Sequence, residues 1–137
     1  MYVDACAIIA IMADEESAEA YNEALRDAVS PWTSVLAAWE AIIVLASPGQ
    51  LDCSYRQAEH ALVDWMEERG IALRTASDLR AVLSHAVGVA EDYGIGKRRL
   101  SNFDCFHYAY AKEAGASLLT MDRLLRSTDI ETIPAAP

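Results

Sequence analysis

Four acidic residues stand where a carboxylate has chemistry open to it beyond solubility. Glu40 sits in the run Val-Leu-Ala-Ala-Trp-Glu-Ala-Ile-Ile-Val-Leu-Ala, residues 35–46, where every other residue is apolar and no basic residue lies within a helical turn. A carboxylate on so apolar a helix is drawn toward the interior, where it is paired, protonated or bound to a metal. An arginine from a distant segment would satisfy it as well as a cation. Asp4 ends the apolar stretch Met1-Tyr2-Val3, Asp122 lies just past Ser117-Leu118-Leu119-Thr120, and Asp104 stands at the start of a helix. Each also has a local role open to it, because Asp is a favoured helix N-cap and Ser101-x-x-Asp104 has capping-box spacing. If the four meet, two carboxylates 4 Å apart repel by about 4 kcal/mol at an effective dielectric near 20. Several such pairs rival the ~5–15 kcal/mol that keeps a domain folded. A convergent quartet therefore needs a divalent cation or bound protons. Oxygen donors favour Mg²⁺ or Mn²⁺ over zinc, and such an ion polarises a phosphate oxygen and lowers the pKa of water.

Positive charge is placed beside two of these acids. Lys97-Arg98-Arg99 precedes Asp104, and Arg123 and Arg126 follow Asp122. Around an acidic pit they would form a rim that positions phosphates; as solvated surface they need no partner at all. His107, three residues past Asp104, has the place of a general acid or a hydrogen-bond donor to a ligating acid, or of a satisfied helix histidine. His60 and His85 belong to the surface or boundary of amphipathic helices. Tyr108 and Tyr110 could stack on bases, but core packing or an oligomer contact suits them better. Cys6, Cys53 and Cys105 are an odd number with no CxxC spacing, which reads as reduced, buried thiols and not as a disulfide framework or zinc site.

The elements that must place these residues alternate in type. Met1 to Val3 reads as a buried strand, followed by helices over Ala5 to Met12 and Ser17 to Val29. An extended piece near Trp32 leads to a helix from Val35 to Ala46, stopped by Pro48-Gly49. Ser54 caps a helix that Gly70 ends, Ile71 to Leu73 is a strand, and Ser77 caps a helix closed by Gly94. Ser101 or Asn102 starts a helix running to Gly115. Ser117 to Thr120 is a strand, Leu124 to Ser127 a helical turn, and Glu131 to Ile133 an edge strand. Short apolar strands alternating with amphipathic helices predict a three-layer α/β/α fold with a short central parallel sheet. Residues 1–133 read as a single domain and 134–137 as a frayed tail.

With 137 residues, 53% of them hydrophobic, the chain can bury one core and is not disordered. Its net charge of -10 excludes nonspecific coating of nucleic acid unless something local reverses the sign. The N-terminus lacks the positive region of a signal peptide, and the most apolar run is too short to span a bilayer and contains Glu40. A soluble, cytoplasmic protein with no membrane association is expected.

The ordered motifs carry a resemblance. Met1-Tyr2-Val3-Asp4-Ala5-Cys6-Ala7, Thr33-Ser34-Val35-Leu36-Ala37-Ala38-Trp39-Glu40, the stretch Leu100 to Ala111 around Asp104, and Leu118-Leu119-Thr120-Met121-Asp122 followed by Thr128-Asp129-Ile130 resemble the acidic motifs of PIN-domain ribonucleases. Length and motif order are similar to the VapC toxins of bacterial type II toxin–antitoxin pairs. The resemblance implies a Mg²⁺- or Mn²⁺-dependent endoribonuclease that cleaves RNA, is neutralised by a VapB-like antitoxin and forms homodimers. It makes Asp4, Glu40, Asp104 and Asp122 the metal-binding acids, with Asp129 able to replace or assist Asp122. Two positions depart from the pattern: Cys6 stands where members usually carry a small hydroxyl residue, and Phe103 where many carry Gly. The runner-up is a catalytically inactive PIN-like module that acts by binding protein. A strand ending in Asp also opens phosphohydrolases of the haloacid dehalogenase type, but their second Asp falls where Cys6 stands.

Overall fold

A computed structural model describes residues 1–135; of the tail expected to fray, residues 136 and 137 lie outside the described residues. Five two-residue strands form one parallel sheet: β1 (Tyr2–Val3), β2 (Trp32–Thr33), β3 (Ala72–Leu73), β4 (Leu118–Leu119) and β5 (Thr132–Ile133), in the order β3-β2-β1-β4-β5. Six helices connect them: α1 (Ala5–Met12), α2 (Ala18–Arg26), α3 (Val35–Leu45), α4 (Tyr55–Glu68), α5 (Leu79–Tyr93) and α6 (Asn102–Glu113). A single 3₁₀ turn, Leu125–Ser127, lies between β4 and β5.

The strand order fixes where a ligand can sit. The path β1, β2, β3 steps one way across the sheet, and the connection from β3 to β4 returns past β1. With right-handed crossovers, α1 to α4 cover one face and α5 and α6 the other. The direction of travel reverses between β1 and β4, which makes their carboxyl ends the topological switch point of the sheet. Tyr2 pairs with Leu118 and Val3 with Leu119, so continuing that register by one residue sets Asp4 beside Thr120.

The core is built on both faces of these strands. Tyr2, Val3, Leu118 and Leu119 are fully buried, with Ile8 from α1, Leu45 from α3, Leu62 from α4 and Leu100 ahead of α6. Such continuous apolar pairs are what a strand covered on both faces requires.

Most helix ends fall where the sequence puts them. Ser54 and Ser101 each cap through their own side chain in a full capping box, with Gln57 and Asp104 as the returning partners. The cap of α5 differs from expectation. Asp78, not Ser77, holds that position, and its Oδ1 accepts from the amides of Arg80 and Ala81. Its carboxylate makes stronger, charge-assisted bonds to the free amides than a serine hydroxyl would. The second helix stops at Arg26 rather than Val29 because Ser30 takes a left-handed φ of 50° and Pro31 leads directly into β2. The thiols are all free, as expected, but only Cys105 is buried; Cys53 is half-buried and Cys6 exposed. None of the described helices is long and apolar enough to cross a membrane.

Candidate active site

Asp4 stands at the switch point. It occupies the N-cap position of α1, yet its side chain caps nothing, so the local role open to it is not the one it takes. Its Oδ2 accepts a hydrogen bond from Thr120 Oγ1 at 2.7 Å, while its Oδ1 is buried with no hydrogen-bond partner. Burial pushes the carboxyl pKa of Asp4 up; His107 and the Thr120 bond pull against that, and Glu40 and Asp104 add to it.

Glu40 reaches the same place from α3, with about a quarter of its side chain exposed (23%). Its partner is not an arginine. His107 on α6 points its Nε2 at Glu40 Oε2, 2.6 Å away, with Asp4 Oδ1 at 3.6 Å from the same nitrogen. The other face of the ring meets Tyr2: Nδ1 lies 3.0 Å from the Tyr2 hydroxyl, which in turn lies 2.7 Å from Ser34 Oγ. Burial alone would lower the pKa of His107, but the carboxylates of Asp4 and Glu40 outweigh it and raise the net value.

Asp104 and Asp122 combine a local role with a place near this centre. Asp104 Oδ2 accepts from the Ser101 amide at 2.7 Å, closing the capping box of α6. Asp122 Oδ1 accepts from the amides of Leu124 and Leu125 at 2.8 and 3.0 Å, turning the chain after β4, while its own amide donates to Thr120 Oγ1. In each, the second carboxylate oxygen makes no hydrogen bond among the described residues. Cys6 is exposed as a whole residue, but its thiol is pushed far above its ordinary range, first by desolvation against the surrounding protein and then by the negative charges of Asp4, Glu40, Asp122 and Asp104. Asp4, Glu40 and His107 thus meet at the carboxyl end of the sheet, Thr120 links Asp4 to the turn that carries Asp122, and Asp104 lies three residues before His107 on α6. Among the described residues, however, no three acid, histidine or cysteine side chains stand at metal-binding spacing.

The family profile of the PIN domain matches residues 1–131. The chain belongs to the PIN-domain family. It is 32% identical to a protein named Ribonuclease VapC from Mycolicibacterium smegmatis, over 97% of this chain and 99% of that one. A crystal structure of a protein from Pyrobaculum aerophilum superposes with a TM-score of 0.62, covering 96% of this chain and 81% of that chain. At 22% identity the latter is a likeness of fold.

Within this PIN domain the basic residues divide. Lys97, Arg98 and Arg99 are exposed in the loop joining α5 to α6, and Arg123 is exposed just past Asp122. None of these four forms a salt bridge among the described residues. Arg99 folds its side chain back over Gly94, whose left-handed φ of 79° strains any residue other than glycine there. Arg126 is committed elsewhere, donating to the carbonyls of Thr120 and Pro134. It ties the β4 end to the residue after β5 and has left the rim.

Asp129 is also committed. It accepts from Tyr108 Oη at 2.6 Å and from Lys112 Nζ at 2.6 Å, and these bonds hold its carboxyl pKa below the usual value. Tyr108 is buried, and Tyr110 is half-buried and stacked on Tyr2, so both serve packing. His60 is exposed and His85 half-buried, in keeping with helix-surface positions. Sequence reasoning singled out neither Thr120 nor Tyr2 as part of the site. For Thr120 the signal available was its position one residue past β4, level with Asp4; for Tyr2, within an apolar strand, there was none.

Proposed function

We propose that this chain is a Mg²⁺- or Mn²⁺-dependent endoribonuclease, with Asp4, Glu40, Asp104 and Asp122 as the acids that hold the ion. The observation that carries the reading is Asp4 Oδ1, a fully buried carboxylate oxygen that makes no hydrogen bond at the switch point, with His107 Nε2 standing 3.6 Å away. A native interior rarely tolerates such an atom unless a ligand satisfies it. Donor chemistry fits a hard cation, since Asp104 and Asp122 each keep one uncommitted oxygen and Glu40 is partly exposed. Divalent metals are also general among PIN-domain nucleases. The relative named Ribonuclease VapC supports RNA as the substrate.

When bound, the ion supplies Lewis-acid polarisation of a backbone phosphate and acidified water. The chain's own residues orient and exclude. Thr120 fixes Asp4, the capping box fixes Asp104, and the turn at Leu124 and Leu125 fixes Asp122. Lys97, Arg98, Arg99 and Arg123 bind the flanking phosphates, giving a chain of net charge -10 a local positive approach for RNA.

The same reading makes the chain the toxin of a pair, one domain over residues 1–133, acting in the cytoplasm. A VapB-like antitoxin as its partner is supported by the apolar groove of about 420 Å³ between α3 and α4, edged by Val35, Trp39 and Val63. A homodimer is supported by Leu79, Leu83 and Val87, left exposed four residues apart along α5. The test is cleavage of structured RNA with Mg²⁺ or Mn²⁺, with EDTA, and with Asp4→Asn and Asp104→Asn. Cleavage that EDTA and both substitutions abolish supports the assignment. The second reading, an inactive protein-binding module, is favoured by His107 already paired with Glu40, and it predicts no cleavage by the parent under any metal.

A further inference from the structure

We propose that His107 is a positioning residue for the acid cluster, holding Glu40 toward Asp4 through a buried relay anchored on Tyr2 and Ser34. The proposal rests on the cation reading above and deepens it. A histidine in a helix facing the core needs one partner on each nitrogen, and many arrangements would satisfy it. Here the ring is 1% exposed, and its Nε2 sits between two carboxylates contributed by different elements, 2.6 Å from Glu40 and 3.6 Å from Asp4. It is the one cationic or donor side chain that reaches Glu40 among the described residues, on a helix whose other residues are apolar.

The ring cannot swing freely. Its Nδ1 lies 3.0 Å from the Tyr2 hydroxyl. That hydroxyl lies 2.7 Å from Ser34 Oγ, which accepts the Ala37 amide at the start of α3. Phe103 stacks near the ring, with planes 22° apart. The relay thus runs from the first turn of α3 through β1 to α6 and back to α3 one turn further on. Tyr2 can donate to a bare Nδ1 or accept from a protonated one, so the relay accommodates a hydrogen on Nε2, aimed at Glu40, in either protonation state of the ring. A ligating carboxylate whose orientation is fixed by such a partner binds its metal more tightly, and loss of such partners typically costs about 10–100-fold in metal affinity or activity.

The experiment is calorimetric titration of Mn²⁺ into the parent, His107→Leu, His107→Gln, Tyr2→Phe and Asp4→Asn. Melting curves and RNA cleavage are measured on the same samples. The glutamine amide places a donor close to where Nε2 lies. The expected result is Mn²⁺ affinity lowered about tenfold or more in folded His107→Leu, largely restored in His107→Gln, and lowered less in Tyr2→Phe. A merely structural histidine would lower the melting temperature and leave Mn²⁺ affinity unchanged. Parent-like affinity in His107→Leu, or His107→Gln as weak as His107→Leu, overturns the proposal. If His107→Leu does not fold, Tyr2→Phe decides it, and unchanged affinity there overturns it. Asp4→Asn reports separately on the cation: if Asp4→Asn binds as the parent does, the metal assignment and the positioning role fall together. If only the His107 and Tyr2 variants bind normally, the positioning role alone falls.

Discussion

Thr120 Oγ1 donates to Asp4 Oδ2 at 2.7 Å across 116 residues of sequence, and the same oxygen accepts the amide of Asp122. One hydroxyl therefore joins the acid after β1 to the acid after β4. The bond exists because β1 and β4 are parallel neighbours in a register that brings their ends level.

Replacing Thr120 with valine keeps the shape and removes the hydroxyl. Asp4 would then have two buried oxygens without hydrogen bonds, at a cost of about 1–3 kcal/mol. Urea denaturation should show that loss, and RNA cleavage should fall with it. Thr120→Ser, which keeps the oxygen, should recover most of both. A valine variant as stable as the parent would contradict the role given to the bond.

The metal-free protein should lose stability as pH rises through neutrality. Burial raises the pKa of Asp4 above 3.8. For His107 burial acts downward, but Asp4 and Glu40 raise the net value above 6.5. Both groups bind protons more tightly folded than unfolded, so their contribution is complete below the unfolded values and fades as pH climbs through the folded ones. The lowered Asp129 acts with the opposite sign, but only in acid below its unfolded value of 3.8. The Met1 amino group, lowered from 8.0 by burial and Arg74, acts oppositely only near and above the folded value. Urea midpoints in EDTA should therefore decline as pH climbs through and above the unfolded histidine value of 6.5, and less so in Asp4→Asn. A rising profile in the parent would contradict the charge balance assigned to this cluster.

Asp129→Asn should separate the two candidates for the fourth acid. Asp129 is bonded to Tyr108 and Lys112 on an exposed surface, so its loss should cost at most about 1 kcal/mol and leave the cleavage rate intact. Asp122→Asn should lower the rate at saturating RNA. The reverse pattern would move the fourth acid to Asp129.

Alanine at Lys97, Arg98, Arg99 or Arg123 should raise KM for RNA with little change in kcat. Removing one phosphate-binding side chain should reduce the slope of log affinity against log salt by about one. A salt slope unchanged in all four variants would remove these residues from the RNA path.

Much of the candidate site was legible in the sequence because the acids proposed for it end strands or break an apolar run. Asp4 and Asp122 follow strand-like triplets, and Glu40 is conspicuous among apolar neighbours. The capping-box spacing of Ser101 and Asp104 read directly onto geometry, since such a motif is local. The partner of Glu40 was not legible. His107 lies 67 positions away, and nothing in its own helix distinguishes a ring aimed at a carboxylate from one packed in the core. Tyr2 was hidden for a similar reason: a tyrosine in a buried strand reads as core, and its hydroxyl acquires meaning only when α3 and α6 close over it. Asp78 displaced Ser77 as a cap because adjacent capping residues compete by strength, which spacing alone does not rank.

The central claim is that Asp4, Glu40 and Asp104 take a divalent ion together. Crystals soaked in Mn²⁺ and read for anomalous density test it most directly. A strong peak beside Asp4 Oδ1, within ligand distance of Glu40 and Asp104 as well, is the predicted result. No peak there at saturating Mn²⁺, with His107 still the one partner of Glu40, would contradict the account.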